Sequence, residues 1–324
     1  MDVEPLQDPF PTPPFQAPPP EGILSKIFLN DKGLRAGWRL LIYAAFVAGL
    51  GFGGGLVLRQ FVRPSHGVFS PGYLFIQEAF SFSVIFAAAV IMAQIERRSV
   101  GVYGLPIRGA FGKLFWQGCL IGLVEVSALV GLIAAFSGYS FGGLAIHGRE
   151  LLRWGILWAV FFVFVGLFEE FLFRGYTQYT LADGIGFWPA AGVLSCSFGA
   201  VHLGNPGEGW VGAAGVVAIG LTFAFALRRT GNLWLVVGWH ASFDFGETFL
   251  YSVPNSGVVF EGHLSNSLIH GPKWLTGGTV GPEGSVFSFI TMGLMMIVIH
   301  FCYPPQKQLP EITPAAETAG GTAA

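Results

Sequence analysis

Over most of its length the sequence divides into apolar stretches long enough to cross a lipid bilayer, and this limits the fold more than any other feature. A hydrocarbon core about 30 Å thick is crossed by about 20 apolar residues in helical form. Eight such stretches can be placed, at approximately Gly37–Leu58, Leu74–Ile95, Leu114–Phe136, Trp154–Phe173, Phe187–His202, Trp210–Leu227, Leu233–Val253 and Val286–Tyr303. The fifth is short, and the fourth runs on into polar sequence. Only 11% of the residues are charged, whereas soluble domains carry about a quarter. The expectation is an all-α polytopic membrane protein of about eight transmembrane helices, because a helix satisfies its own backbone groups in lipid.

The ends read differently. Residues 1–21 hold eight prolines and lack a basic segment leading into an apolar core, so they are expected to be a disordered arm rather than a signal peptide. Residues 305–324, rich in Pro, Ala, Thr and Gly, read as a disordered tail. Between them, 22–304 forms the transmembrane domain, with Gly22–Arg39 able to lie along the cytoplasmic interface. With the N-terminus inside, twelve basic residues fall in inner segments and five in outer ones, which places both termini in the cytoplasm. No basic run suits nucleic acid. Cys119, Cys196 and Cys302 are far apart in apolar segments and read as small buried residues. Gly51 with Gly55, and Gly118 with Gly122, have the spacing that lets helices approach closely.

Within the apolar stretches are three polar constellations. GLFEEFLFRG, from Gly166 to Gly175, carries Glu169, Glu170 and Arg174. Charged residues deep in a membrane helix cost roughly 2.5 to 3.5 kcal/mol each on insertion scales, so a use for them is expected. Glu170 and Arg174 share a helical face and can pair, whereas Glu169 points about 100° away. SFGAVHLGN places His202 one turn after Phe198, and GWHASFDFGE places His240, Asp244 and Glu247 on a common face. Each alone has a plain structural reading: a buried ion pair, a helix-end histidine, and a His–Asp pair too common to identify a site.

Depth joins them. Measured from the turn at Ala182–Gly186, Glu169 and His202 both lie roughly 22 to 26 Å away on antiparallel neighbours. His240 and Asp244 lie about 12 and 18 Å past the Arg228–Arg229 end, and meet the first pair if Arg174–Asp183 projects from the membrane or lines a wet cavity. The site is then expected to open toward the cytoplasm. A carboxylate and an imidazole facing one water can remove its proton, and nearby donors can hold the oxyanion formed when that water attacks an amide. The same groups, Glu169, His202 and His240, could instead hold a divalent metal such as zinc that acidifies the water. Either route is hydrolysis. HExxH, GxSG and GxGD, the signatures of other protease classes, do not occur.

At these residues the sequence resembles the CPBP family of intramembrane proteases, the CAAX protease and bacteriocin-processing (Abi) enzymes. Its motifs EExxxR, FxxxH and HxxxN, the last with Asp as a frequent bacterial replacement, stand here as Glu169–Arg174, Phe198–His202 and His240–Asp244. The resemblance covers about 151–253, the expected protease core. It implies an intramembrane endopeptidase in a bacterial inner membrane, acting on a membrane protein or lipid-associated peptide. Glu169 and His202 would activate water, Glu170 and Arg174 would orient the site, and His240 with Asp244 would bind the oxyanion or complete the polar shell. Both a metalloprotease and a metal-free glutamate mechanism are compatible with the family. An ionised Asp244 cannot donate to an oxyanion, so it would be protonated, orient His240 or bind metal. The alternatives are a non-catalytic scaffold or bacteriocin-immunity factor of the same family, and a proton or ion pathway. His263, His270 and Glu283, in the long Pro254–Gly284 segment, read as loop residues, and that segment could form a lid. His300 reads as structural.

Overall fold

The structure is a computed structural model that describes residues 22–30, 33–62 and 71–304; the expected disordered arm and tail lie outside the described residues. It is all-α. The helices are α1 (Ile23–Phe28), α2 (Ala36–Phe61), α3 (Pro71–Ile95), α4 (Lys113–Ala135), α5 (Arg149–Arg174), α6 (Tyr176–Ile185), α7 (Phe187–His202), α8 (Trp210–Thr230), α9 (Leu233–Phe245), α10 (Lys273–Thr276) and α11 (Val286–Cys302). Among the described residues two short antiparallel ladders occur: β1 (Leu29–Asn30) with β2 (Gly33–Leu34), and β3 (Tyr139–Ser140) with β4 (Leu268–Ile269).

Among the described residues, five helical stretches are long and apolar enough to cross a membrane: α2, α3, α4, α5 continued through α6, and α8. The chain is an integral membrane protein of the polytopic helical class. The expected count of eight spans is not confirmed, for a geometric reason. Helices α7, α9 and α11 have 16, 13 and 17 residues, and at 1.5 Å per residue they fall short of a core about 30 Å thick. The seventh expected span ends early because α9 passes at Gly246–Leu250 into a π-helical turn.

Helix α9 is the centre of the bundle. Nearly all of it from Leu233 to Asp244 is buried, as an all-round apolar helix requires. Small residues let its neighbours approach. A Cβ on Gly118 or Gly122 of α4 would strike α9 backbone, and one on Gly238 of α9 would strike the Phe115 carbonyl of α4. The same spacing on α2 has no such use, since Gly55 faces open space and Gly51 meets only the end of Val84. The start of α9 is fixed locally. Gly231, with φ of 63°, ends α8, and the Asn232 side chain accepts from the Trp234 amide at 2.9 Å, a left-handed C-terminal residue followed by an N-cap.

Two further features position the site. Helix α6 is no solvent-facing projection: Tyr176, Gln178, Tyr179 and Thr180 are buried. Tyr176 stacks near Tyr43 and Tyr103, with ring centroids 4.5 and 4.9 Å away. Beneath them Glu96 accepts from Arg39, Tyr103 and Tyr176 at 2.6 to 2.9 Å, and Arg39 also bonds Asp183 at 2.8 Å. Arg39 is therefore buried in the bundle rather than lying at an interface. At the opposite end of α7, residues 254–285 fold over the bundle. Gly257 donates to Val280 at 2.8 Å, Asn205 to the Ser256 carbonyl at 2.8 Å and Trp158 to the Glu261 carbonyl at 3.1 Å. Cys196 and Cys302 are exposed and Cys119 half-buried, a correction to their reading as buried residues, and one that suits apolar side chains on lipid-facing surfaces.

Candidate active site

The adjacent carboxylates of α5 have separate surroundings. Glu170 is fully buried; it accepts from Arg174 Nη1 at 3.2 and 3.3 Å and contacts His240 Nδ1 at 2.8 Å. It is thus held from its own helix and from α9 at once. The Glu169 side chain keeps 22% exposure and lies 3.7 Å from His240 Nε2. Asp244 Oδ2 is 3.4 Å from the same nitrogen. One imidazole therefore links Glu169, Glu170 and Asp244. Because a carboxylate accepts, Nδ1 of His240 carries its proton toward Glu170, which fixes the ring's orientation.

His202 approaches from α7. Its Nδ1 lies 2.8 Å from the Phe198 carbonyl; a carbonyl can only accept, so Nδ1 carries the proton and Nε2 of the neutral ring is a bare acceptor. His202 and His240 are both electrostatic neighbours of Glu169. Phe198 joins the parts, with its ring 4.3 Å from the Arg174 guanidinium carbon and 4.6 Å from the His202 ring, a cation–π contact at one face. Gly220 of α8 leaves room for this, since a Cβ there would stand 2.6 Å from Arg174 Nη2. That Nη2 is buried without a hydrogen-bond partner.

A cavity beside these groups is lined by His202, His240 and Asp244, together with Glu125, Ser256 and Glu283. It corrects two expectations. None of Arg174–Asp183 lines it, because α6 is packed against Tyr43 and Tyr103. Its far wall comes from residues 254–285, at the 203–209 end of α7, not the 182–186 end toward which the depth argument aimed it. Glu283 is therefore more than a loop residue, whereas His263 and His270 do not line the cavity. Glu125 of α4, buried and bonded by Trp239 Nε1 at 2.6 Å, is a site neighbour that sequence reading missed. Its signal was a lone carboxylate in an apolar span, three residues after the second of the glycines that bring α4 onto α9.

A divalent ion would draw on Glu169, His202 and His240. Among the described residues no three His, Cys, Asp or Glu side chains are grouped closely enough to form a metal site; both imidazoles hold Nδ1 in a hydrogen bond, which leaves Nε2 as the nitrogen a metal would take. The chemistry that follows uses protein groups alone.

Outside the membrane-spanning helices, Glu208, in the turn after α7, is pushed above the usual carboxylate range by burial, with Glu283 adding repulsion against the Gly209 amide and His202. The 203–209 turn thus adds one more acidic group to the same end of the molecule.

Residues 151–246 match the family model described as type II CAAX prenyl endopeptidase Rce1-like. No curated protein and no solved structure matches the chain. The matched segment contains all six of the residues Glu169, Glu170, Arg174, His202, His240 and Asp244, so the sequence motifs, the helical membrane fold and the family match fall on the same part of the chain. Over that segment the sequence is similar to the CAAX-prenyl-endopeptidase family, which agrees with the resemblance of its motifs to the CPBP proteases.

Proposed function

We propose that the protein is an intramembrane endopeptidase that hydrolyses a peptide bond of a membrane-associated substrate with water activated by Glu169 and His202. The observation that carries this reading is the unequal treatment of the two glutamates. Glu170 is enclosed between Arg174 and His240, while Glu169 remains partly open, 3.7 Å from His240. A structural pair needs only the first arrangement. The water proton passes to Glu169 or to Nε2 of His202 as the water oxygen bonds to the carbonyl carbon. The oxyanion is met by an N–H of His240, whose orientation Glu170 and Asp244 maintain. Collapse breaks the C–N bond, and the proton held by the base passes to the departing amine. Asp244 on this account orients and charges His240 and need not donate.

The setting is a bacterial inner membrane with both termini in the cytoplasm, and α7, α9 and α11 complete a bundle of eight apolar helices. The test is cleavage of membrane-associated peptides by the purified full chain in lipid. Glu169→Gln is expected to lower the rate by at least about a hundredfold, the usual scale for one acid–base group, with thermal stability retained. Equal cleavage by both proteins would overturn the assignment. Unchanged rescue of a deletion phenotype by the Glu169→Ala, His202→Ala double variant would favour a non-catalytic scaffold.

A further inference from the structure

The cavity has an acidic, aromatic wall that water activation does not use. Glu125, Asp244 and Glu283 contribute carboxylates to it, and Phe223, Trp239 and Phe243 contribute ring surface. Behind it lies Glu247, fully buried on the π-helical turn after α9. No N–H is donated to either Glu247 oxygen; its polar neighbours are carboxyls, Glu283 within reach of a shared proton and Asp244 and Glu125 beyond it. The wall carboxylates, by contrast, have fixed donors. Glu125 has the Trp239 indole at 2.6 Å, and Glu283 has the Ser256 amide and hydroxyl, each at 2.9 Å. Acceptors outnumber donors here, and leaving a buried carboxyl without a donor is costly. The lining residues able to carry positive charge are His202 and His240, and both are committed to the water-activating side. A compact inorganic cation lacks a convergent set of three ligands among the described residues. Carboxylates interspersed with aromatic faces suit an organic cation instead, whose charge meets the acids while its stem and ring-facing surface stay dry.

We propose that this cavity is a subsite for a protonated basic side chain, lysine or arginine, of the membrane-associated peptide. It rests on the peptidase reading for the source of that side chain, and it gives that site a charge preference. An otherwise apolar membrane peptide with one basic residue placed near the scissile bond would be held there by Glu283 and Asp244.

The test separates binding from cleavage. The full-length Glu169→Gln protein in lipid nanodiscs is titrated with fluorescent leucine–alanine peptides carrying one lysine at successive positions, each paired with its norleucine counterpart. At one or more positions the lysine peptide should bind roughly tenfold more tightly, the scale of one charge-assisted hydrogen bond. In an added Glu283→Gln variant that preference should vanish while norleucine-peptide binding, which also reports folding, is kept. On unsubstituted protein, n-hexylammonium should displace the lysine peptide and n-hexanol should not. Equal binding of lysine and norleucine at every position overturns the proposal, as does a preference that survives Glu283→Gln or displacement by hexanol as readily as by hexylammonium. If the lysine preference is present but wild-type protein cleaves nothing, the peptidase reading fails and the subsite stands. Cleavage without the preference gives the reverse.

Discussion

Two buried ionic networks lie within a few turns of each other along α5 and α6, and they are finished to different degrees. In the first, both oxygens of Glu96 are occupied: Oε1 by Arg39 and Tyr176, and Oε2 by Arg39 and Tyr103. In the second, Glu170 is held by Arg174 and His240, yet Arg174 Nη2 has no acceptor and Glu169 stays partly open. Ion pairs taken out of water are worth little net unless their remaining valences are filled. The first network resembles a clamp between α2, α3 and α6, because nothing is left over at Glu96. The second keeps unused capacity beside a cavity, as a site that must meet a substrate requires.

The largest effect should come from breaking the second network at its anchor. Removing one partner of a buried pair leaves the other charge uncompensated, a loss of about 3 to 5 kcal/mol. Arg174→Gln should therefore lower the thermal stability of the protein in lipid as well as its cleavage rate, whereas Glu169→Gln should lower the rate alone. If Arg174→Gln proved as stable as wild type, the enclosure of Glu170 would not be what holds α5 against α9. A second, smaller contrast uses the glycines. Gly118→Ala places a methyl group against the Leu235 carbonyl, while Gly55→Ala meets nothing. The first should cost about 1 to 3 kcal/mol as overpacking and the second should be silent in a thermal unfolding comparison.

Sequence reading anticipated local contacts around the candidate site better than it anticipated the number of long spans. The i, i+4 geometry of Glu170 and Arg174 is local, and it appears as an ion pair at 3.2 Å. The grouping of His240 and Asp244 is likewise local. What could not be read was how many helices span the full bilayer thickness, because hydropathy cannot see that α9 gives way to a π-turn at Gly246. Nor did local pattern separate the two glycine pairs, which differ only in what stands opposite them. The cavity's position was misjudged for a similar reason. Arg174–Asp183 is polar in composition, but its tyrosines find partners on α2 and in the turn after α3, which only the packed structure supplies. Glu125 and Glu283 reach the cavity from α4 and from a distant segment, so no spacing rule joins them to His240.

The finished network offers the contrast with the smallest expected effect on cleavage. Glu96 follows α3, and although burial opposes its ionisation, hydrogen bonds from Arg39, Tyr176 and Tyr103 hold its carboxyl below the usual range. A depressed carboxylate binds fewer protons folded than unfolded between its two pKa values. Its stabilisation is therefore complete above the unfolded value, about 4.3, and is lost as pH falls through the folded one. The stability difference between wild type and Glu96→Gln should accordingly be constant from about pH 5.5 upward and shrink below about pH 4.3. Tyr103→Phe removes one of four donors to the carboxylate and should cost only about 1.5 to 3 kcal/mol, the scale of a hydrogen bond to a charged group. Cleavage per folded molecule should be unchanged in both variants, measured at pH 7 with the folded fraction determined in the same sample. A loss of turnover in Tyr103→Phe without loss of stability would mean that the two networks are coupled through Tyr176 and Arg174, and that the clamp helps set the geometry of the site.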